Sequence, residues 1–233
     1  MDINNLQNHF LLLQINDSLF PIGAYSHSYG LETYIQKQIV FDVKSAYKYI
    51  ENRLKYNFLY TDLLAVRLAY EAMCKHDINE IDKLENIMEV SKLPKEIREA
   101  SQKIGKRFIK TILYMDLFWE NDYFFKYLEA RKNKSTCQPC AYGVFCSCMH
   151  MDKTEVLANY LYAQTSSMIT TCVKTVPLSQ SDGQKILASF STLFIDLLST
   201  VEKLDANMLC LSTPGFDLRS IQHEYLYSRL YMS

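Results

Sequence analysis

From Asp42 onward the apolar positions Val43, Tyr47, Ile50, Leu54 and Phe58 fall four and three residues apart. That is the spacing of one face of an α-helix, and Asp42 carries the short acceptor side chain of an N-cap. Asn57 and Thr61 mark an interruption, after which the composition from Leu64 through Met73 to His76 favours helix again. The spacing recurs at Ile78, Ile81, Leu84 and Met88. Ser91 and Pro94 close that helix and open the next, whose buried stripe reads Ile97, Ala100, Ile104, Phe108, Ile112 and Met115, with Gly105 pointing to a close helix contact. Arg131 to Pro139 is polar and reads as the main mid-chain loop. Asp152 then caps a helix through Leu157, Leu161, Met168 and Cys172 that ends near Pro177. Asp182 caps another through Ile186, Phe190, Phe194, Leu197, Val201 and Leu204. Pro214-Gly215 releases a C-terminal segment. The pattern predicts an all-α protein: one compact helical-bundle domain over residues 1–213 and a tail over 214–233 that orders on a partner. No unit of roughly 20 to 50 residues repeats, which argues against a solenoid.

Composition narrows the picture. The chain has 233 residues and a mass of 27.2 kDa, of which only six residues are Gly and five are Pro. Turns are therefore few and the elements long, which excludes all-β folds. A chain of this mass leaves roughly 11,000 Å² exposed, ample for one core. The formal net charge is -1, so no global field draws in nucleic acid. The apolar runs Ile112–Met115 and Leu117–Trp119 are broken by Asp116, far short of the ~20 residues that span a bilayer. Asp2, Asn4 and Asn5 precede the apolar Phe10–Leu13 without a basic cluster, which speaks against a secretory signal and for the cytosol. Seven cysteines on a chain of this size are expected as free thiols.

Motifs of catalysis do not emerge. The few glycines form neither GxxxxGK[ST] nor GxGxxG, so a phosphate cradle is not expected, and no nucleophile signature is present. Cys137, Cys140, Cys146, Cys148 and His150 offer soft ligands for an ion such as Zn²⁺, but CxxC followed closely by CxCxH departs from the usual pair of separated knuckles. The competing reading is a packed helix start whose small residues happen to be Cys. Asp17 to Glu32 couples the helix-stopping Pro21 and Gly23 to Ser26, His27, Ser28 and Glu32, either as a connection that caps its own backbone or as a functional loop. Arg219 to Ser233 is rich in Tyr and Arg and reads as a frayed terminus or an interface anchor.

Three stretches carry a resemblance: Leu12–Glu32 (LLQINDSLFPIGAYSHSYGLE), Val173–Gln184 (VKTVPLSQSDGQ) and Gln222–Ser233 (QHEYLYSRLYMS). At these residues the sequence resembles the UreF family of urease accessory proteins, with wording closest to the branch found in gastric, Helicobacter-like bacteria. The resemblance implies an all-α homodimer that binds the accessory protein UreD or UreH, then recruits the GTPase UreG and regulates it. The assembly delivers nickel to apo-urease. The chain would be a scaffold without catalysis of its own, holding no cofactor tightly and passing Ni²⁺ transiently. It further implies partner binding through Arg219, His223, Glu224, Tyr225, Tyr227, Arg229, Leu230 and Tyr231. Asp17, Ser26, His27, Ser28 and Glu32 would serve partner recognition or ion passage. On that reading, replacing His27 or Glu32 with Ala costs little stability. Around Thr136–His150 the chain departs from relatives, which often have a His where it has Gln138, so a metal role there is not inherited. The rivals are a helical metal-binding protein or enzyme built on the Cys137–His150 cluster, and a helical interaction module unconnected with urease.

Overall fold

The structure, a computed structural model, describes residues 3–23 and 27–231. No strand occurs among them, and twelve α-helices follow one another: α1 Ile3–Asn16, α2 Leu31–Gln36, α3 Val43–Arg53, α4 Leu64–Cys74, α5 Ile78–Ser91, α6 Lys95–Tyr114, α7 Tyr123–Ala130, α8 Gln138–Cys148, α9 Lys153–Thr175, α10 Gln180–Ser189, α11 Ser191–Val201 and α12 Pro214–His223. The exposed surface, 12,000 Å², is close to what the mass predicts.

The start signals act as expected at two helices. Asp42 accepts from the backbone N–H of Ser45 at 2.8 Å, and Ser45 Oγ accepts from the N–H of Asp42 at 3.0 Å, a reciprocal cap. Asp152 accepts from the N–H of Glu155 at 2.9 Å. Three expectations need correction. Asn57 and Thr61 do not break the helix: Leu54–Leu63 is wound as a π-helix joining α3 to α4, with Thr61 Oγ1 donating back to the Asn57 carbonyl at 3.0 Å. The cap of α10 is Ser179, and Asp182 is its reciprocal partner three residues on. The helix expected to run to Leu204 stops at Phe190, whose fully buried ring anchors the break between α10 and α11.

At the centre lies α8, every residue of which is buried, between α4, α6 and α9. The expected loop is shorter than its polar composition suggested, because Pro139 lies in the first turn of α8, where its missing N–H costs nothing. Gly105 of α6 meets the Thr136 carbonyl so closely that a Cβ would collide with backbone, which explains the glycine. Arg131, buried, pins the loop from inside: it donates to Asp82 Oδ1 at 2.6 Å, to Asn86 Oδ1 at 2.9 Å and to the Ser135 carbonyl.

The Lys134 ammonium, and after it the Arg131 guanidinium, hold the Asp82 carboxyl below its usual range against the opposing effect of burial. A depressed folded-state value stabilises the fold above the ordinary value of 3.8, and that contribution is lost as pH falls through the folded value. The stability difference between the wild type and Asp82→Asn should therefore narrow when urea titrations are moved from neutral pH to pH of about 3. A gap that stays constant with pH contradicts this account.

Candidate functional site

The two polar segments singled out in the sequence meet in space. Gly30, at φ 82°, turns the chain into α2 and lets the backbone of Ser220 on α12 approach to 3.0 Å of where a Cβ would sit. Side by side, α2 and α12 place Glu32 against His223, the last residue of α12, whose side chain is completely buried. His223 Nε2 lies 2.9 Å from Glu32 Oε2 and Nδ1 lies 2.8 Å from Glu96 Oε2 on α6. Arg229 donates to the other oxygen of Glu96 at 2.5 Å. Glu32 also accepts the backbone N–H groups of Leu230 at 2.7 Å and Tyr231 at 3.2 Å. Both ring nitrogens of His223 thus face carboxylates. Thr33 Oγ1 donates to the Arg219 carbonyl at 2.8 Å and Gln36 to the Ser228 carbonyl at 3.1 Å, extending the clamp along both helices.

Glu32 is buried and has three partners, so against the sequence-based expectation its loss is now expected to cost stability, which a thermal melt of Glu32→Ala checks. The tail divides in two: Pro214–His223 is already helical and docked in the single chain, while 224–231 continues without helix. Inside that continuation the backbone of 230–231 is tied down. Outside it, Tyr225, Tyr227 and Leu230 stand 83%, 105% and 78% exposed. Glu224 follows α12 as its C-cap, and Arg219 donates to Gln222 at 2.7 Å on that helix.

The remaining candidates separate. Asp17 accepts from the N–H of Leu19 at 2.7 Å and closes the turn after α1. Ser26 lies outside the described residues. His27 is buried, with its ring 6.2 Å from that of Tyr29. Burial first, and then the Lys103 charge, push its pKa below the usual imidazole value, with Glu96 working the other way, so the ring is neutral at neutral pH. Together with Ser28, Tyr29, Arg53 and Lys92 it lines a cavity of about 50 Å³. Arg53 donates there to the Tyr29 carbonyl and the Tyr49 hydroxyl, both at 3.2 Å.

The five-residue Cys/His cluster does not assemble. α8 and its N-cap Cys137 carry all four cysteines, and its turns spread them. Cys146 packs with Tyr142 and burial pushes its thiol well up, while burial carries Cys148 to about 12. His150 sits on the surface, 3.3 Å from Glu120. Cys137, the N-cap of α8, and Cys140 instead meet Glu85 of α5, with their ligand atoms within 4.8 Å of one another and all three residues buried. Sequence reasoning missed Glu85, although its position four residues after Ile81 places a carboxylate inside an apolar stripe.

Comparison with known proteins bears on the whole chain. The UreF family model matches residues 40–191. The urease accessory protein UreF of Actinobacillus pleuropneumoniae serotype 5b is 35% identical over 225 residues, covering 95% of this chain and 97% of the relative. Those of Bacillus sp. TB-90 and Lachnoclostridium phytofermentans are 32% and 30% identical, covering 95% and 98% of this chain and 97% and 100% of the relatives. The chain belongs to the UreF family of urease accessory proteins. UreF proteins are accessory factors of urease rather than enzymes, and the fold of this member is all-helical. No helix among the described residues is long and apolar enough to cross a membrane. The first and last of the three UreF-like stretches form the clamp. The second forms the end of α9 and the start of α10.

Proposed function

We propose that this UreF-family chain acts as a non-enzymatic scaffold in the cytosol that joins a UreD/UreH-type partner and the GTPase UreG, regulates the GTPase, and helps deliver nickel to apo-urease. In this reading it works as a homodimer, holds Ni²⁺ only in passing, and belongs to the Helicobacter-like branch whose wording its three stretches share. The observation that carries the reading is the tail: a fixed inner side, tied to Glu32 and Glu96, presents Tyr225, Tyr227 and Leu230 to solvent. Large exposed aromatic groups on a preordered support are what a tight interface uses as anchors.

The test removes the outer side and keeps the clamp. Combined replacement of Tyr225, Tyr227 and Leu230 by Ala should leave the thermal melt nearly unchanged and weaken binding to the UreD-type partner more than about tenfold, since each interface anchor contributes about 2 kcal/mol. Undiminished co-purification of the triple variant would overturn the assignment of this surface.

A further inference from the structure

We propose that Glu85, Cys137 and Cys140 form a binding site for one divalent cation of the thiolate-seeking class, of which Zn²⁺ is the probe. The inference does not depend on nickel delivery or on the partner surface.

Three ligand atoms from two separate elements converge within 4.8 Å. A tetrahedral Zn²⁺ with bonds of about 2.3 Å to sulfur and 2.1 Å to oxygen holds its ligand atoms roughly 3.5 Å apart. The cluster therefore needs only a small contraction. The CxxC spacing places one thiol at the N-cap of α8 and the other one turn in, both toward α5, and Pro139 stiffens that turn. The carboxylate is already oriented: the Tyr127 hydroxyl donates to Glu85 Oε1 at 2.5 Å and the Cys137 N–H to Oε2 at 2.8 Å. Such outer hydrogen bonds leave further lone pairs on each oxygen and are the usual support of a ligating carboxylate.

Charge also balances. Two thiolates, whose protons leave to solvent on coordination, and one carboxylate leave a single negative charge around a dication. Without an ion, burial holds the Cys137 thiol and the Glu85 carboxyl above their ordinary values, and the Cys137 hydrogen bond and burial do the same for Cys140, with Lys92 and Arg131 only partly offsetting this; a dication would supply the missing positive charge. A small pocket beside Glu89, Arg98, Gln102 and Ser135 adjoins Glu85 and Cys137. Three protein ligands leave the fourth position open, as in sites that exchange or activate a ligand rather than staple a fold. Cys146, Cys148 and His150 take no part.

Chelator-stripped full-length protein should take up about one equivalent of Zn²⁺ in equilibrium dialysis under reducing conditions. Co²⁺ in its place should give a sulfur-to-metal charge-transfer band in the near ultraviolet together with the visible bands of tetrahedral cobalt. Cys137→Ser and Cys140→Ser should each abolish the band, Glu85→Gln should weaken uptake about tenfold or more, and the double change Cys146→Ser/Cys148→Ser should leave both readouts in place. Absence of the cobalt–sulfur band in the wild-type chain, which needs no variant to fold, overturns the proposal. So does Zn²⁺ uptake that survives loss of Cys137 and Cys140. Either failure leaves the partner-binding result above untouched.

Discussion

Replacing His223 with Ala should lower the stability of the isolated chain by about 3 kcal/mol, the loss typical of removing one member of a buried ion pair. For a domain of this length that is a fall in Tm of roughly 6–12 °C. The imidazole is completely buried and touches Glu32 and Glu96 at 2.9 and 2.8 Å, so its removal leaves two carboxylates facing each other across a hole. The partners of the tail fail with it, since Leu230 and Tyr231 hydrogen-bond to the same Glu32. Besides the melt, limited proteolysis should show faster cleavage at Arg229 while the rest of the chain stays protected. A change below about 1 kcal/mol would mean that the clamp adds no net stability, as some buried ion pairs do not.

Phe145→Ala should cost more and act differently. Phe145 is fully buried on α8 and makes edge-on contacts with Phe108, Trp119 and Phe124 at centroid distances of 6.0, 5.9 and 5.9 Å. Truncation at this fully buried aromatic site leaves a cavity, and Phe→Ala changes of this kind cost about 3–5 kcal/mol. The chain has one tryptophan, Trp119, stacked on Phe124 at 4.8 Å. Its emission therefore reports on this cluster alone. A chemical denaturation curve followed by tryptophan fluorescence should shift to lower denaturant with the same slope, and an unmoved midpoint would show that the cluster is not where the core is held together. His223→Ala, by contrast, should leave the native-state emission as it is.

Where residues repeat with the helical period, the elements were legible: α3, α5, α6 and α9 begin and end close to where their stripes and caps place them. Short helices without a long stripe, α2 and α7, left no such signal. The winding of Leu54–Leu63 is invisible for a related reason, since Asn57 and Thr61 read as breakers locally but find partners in Thr213 and in the Asn57 carbonyl. The break at Phe190 follows from packing, because the local sequence favours continuing the helix while the core claims that ring. The site was half legible. His223, Glu32 and Arg229 stood out as polar groups in conspicuous segments, but that they touch is a contact across 191 residues and cannot be seen in any window. The cysteines drew attention as one cluster, yet only two converge, and their third neighbour lies 52 residues upstream in a stripe that looked wholly apolar.

The clamp between α2 and the tail also bears on how the chain is made. Glu32 leaves the ribosome 191 residues ahead of His223, and its backbone partners at 230 and 231 follow later still. Until residues 223–231 are made, Glu32 and Glu96 lack the His223, Arg229 and backbone N–H partners that they have in the folded chain. Closure of α2 against α12 therefore waits for residue 223 to be made. A chain cut before residue 223 lacks the contacts that cover Glu32.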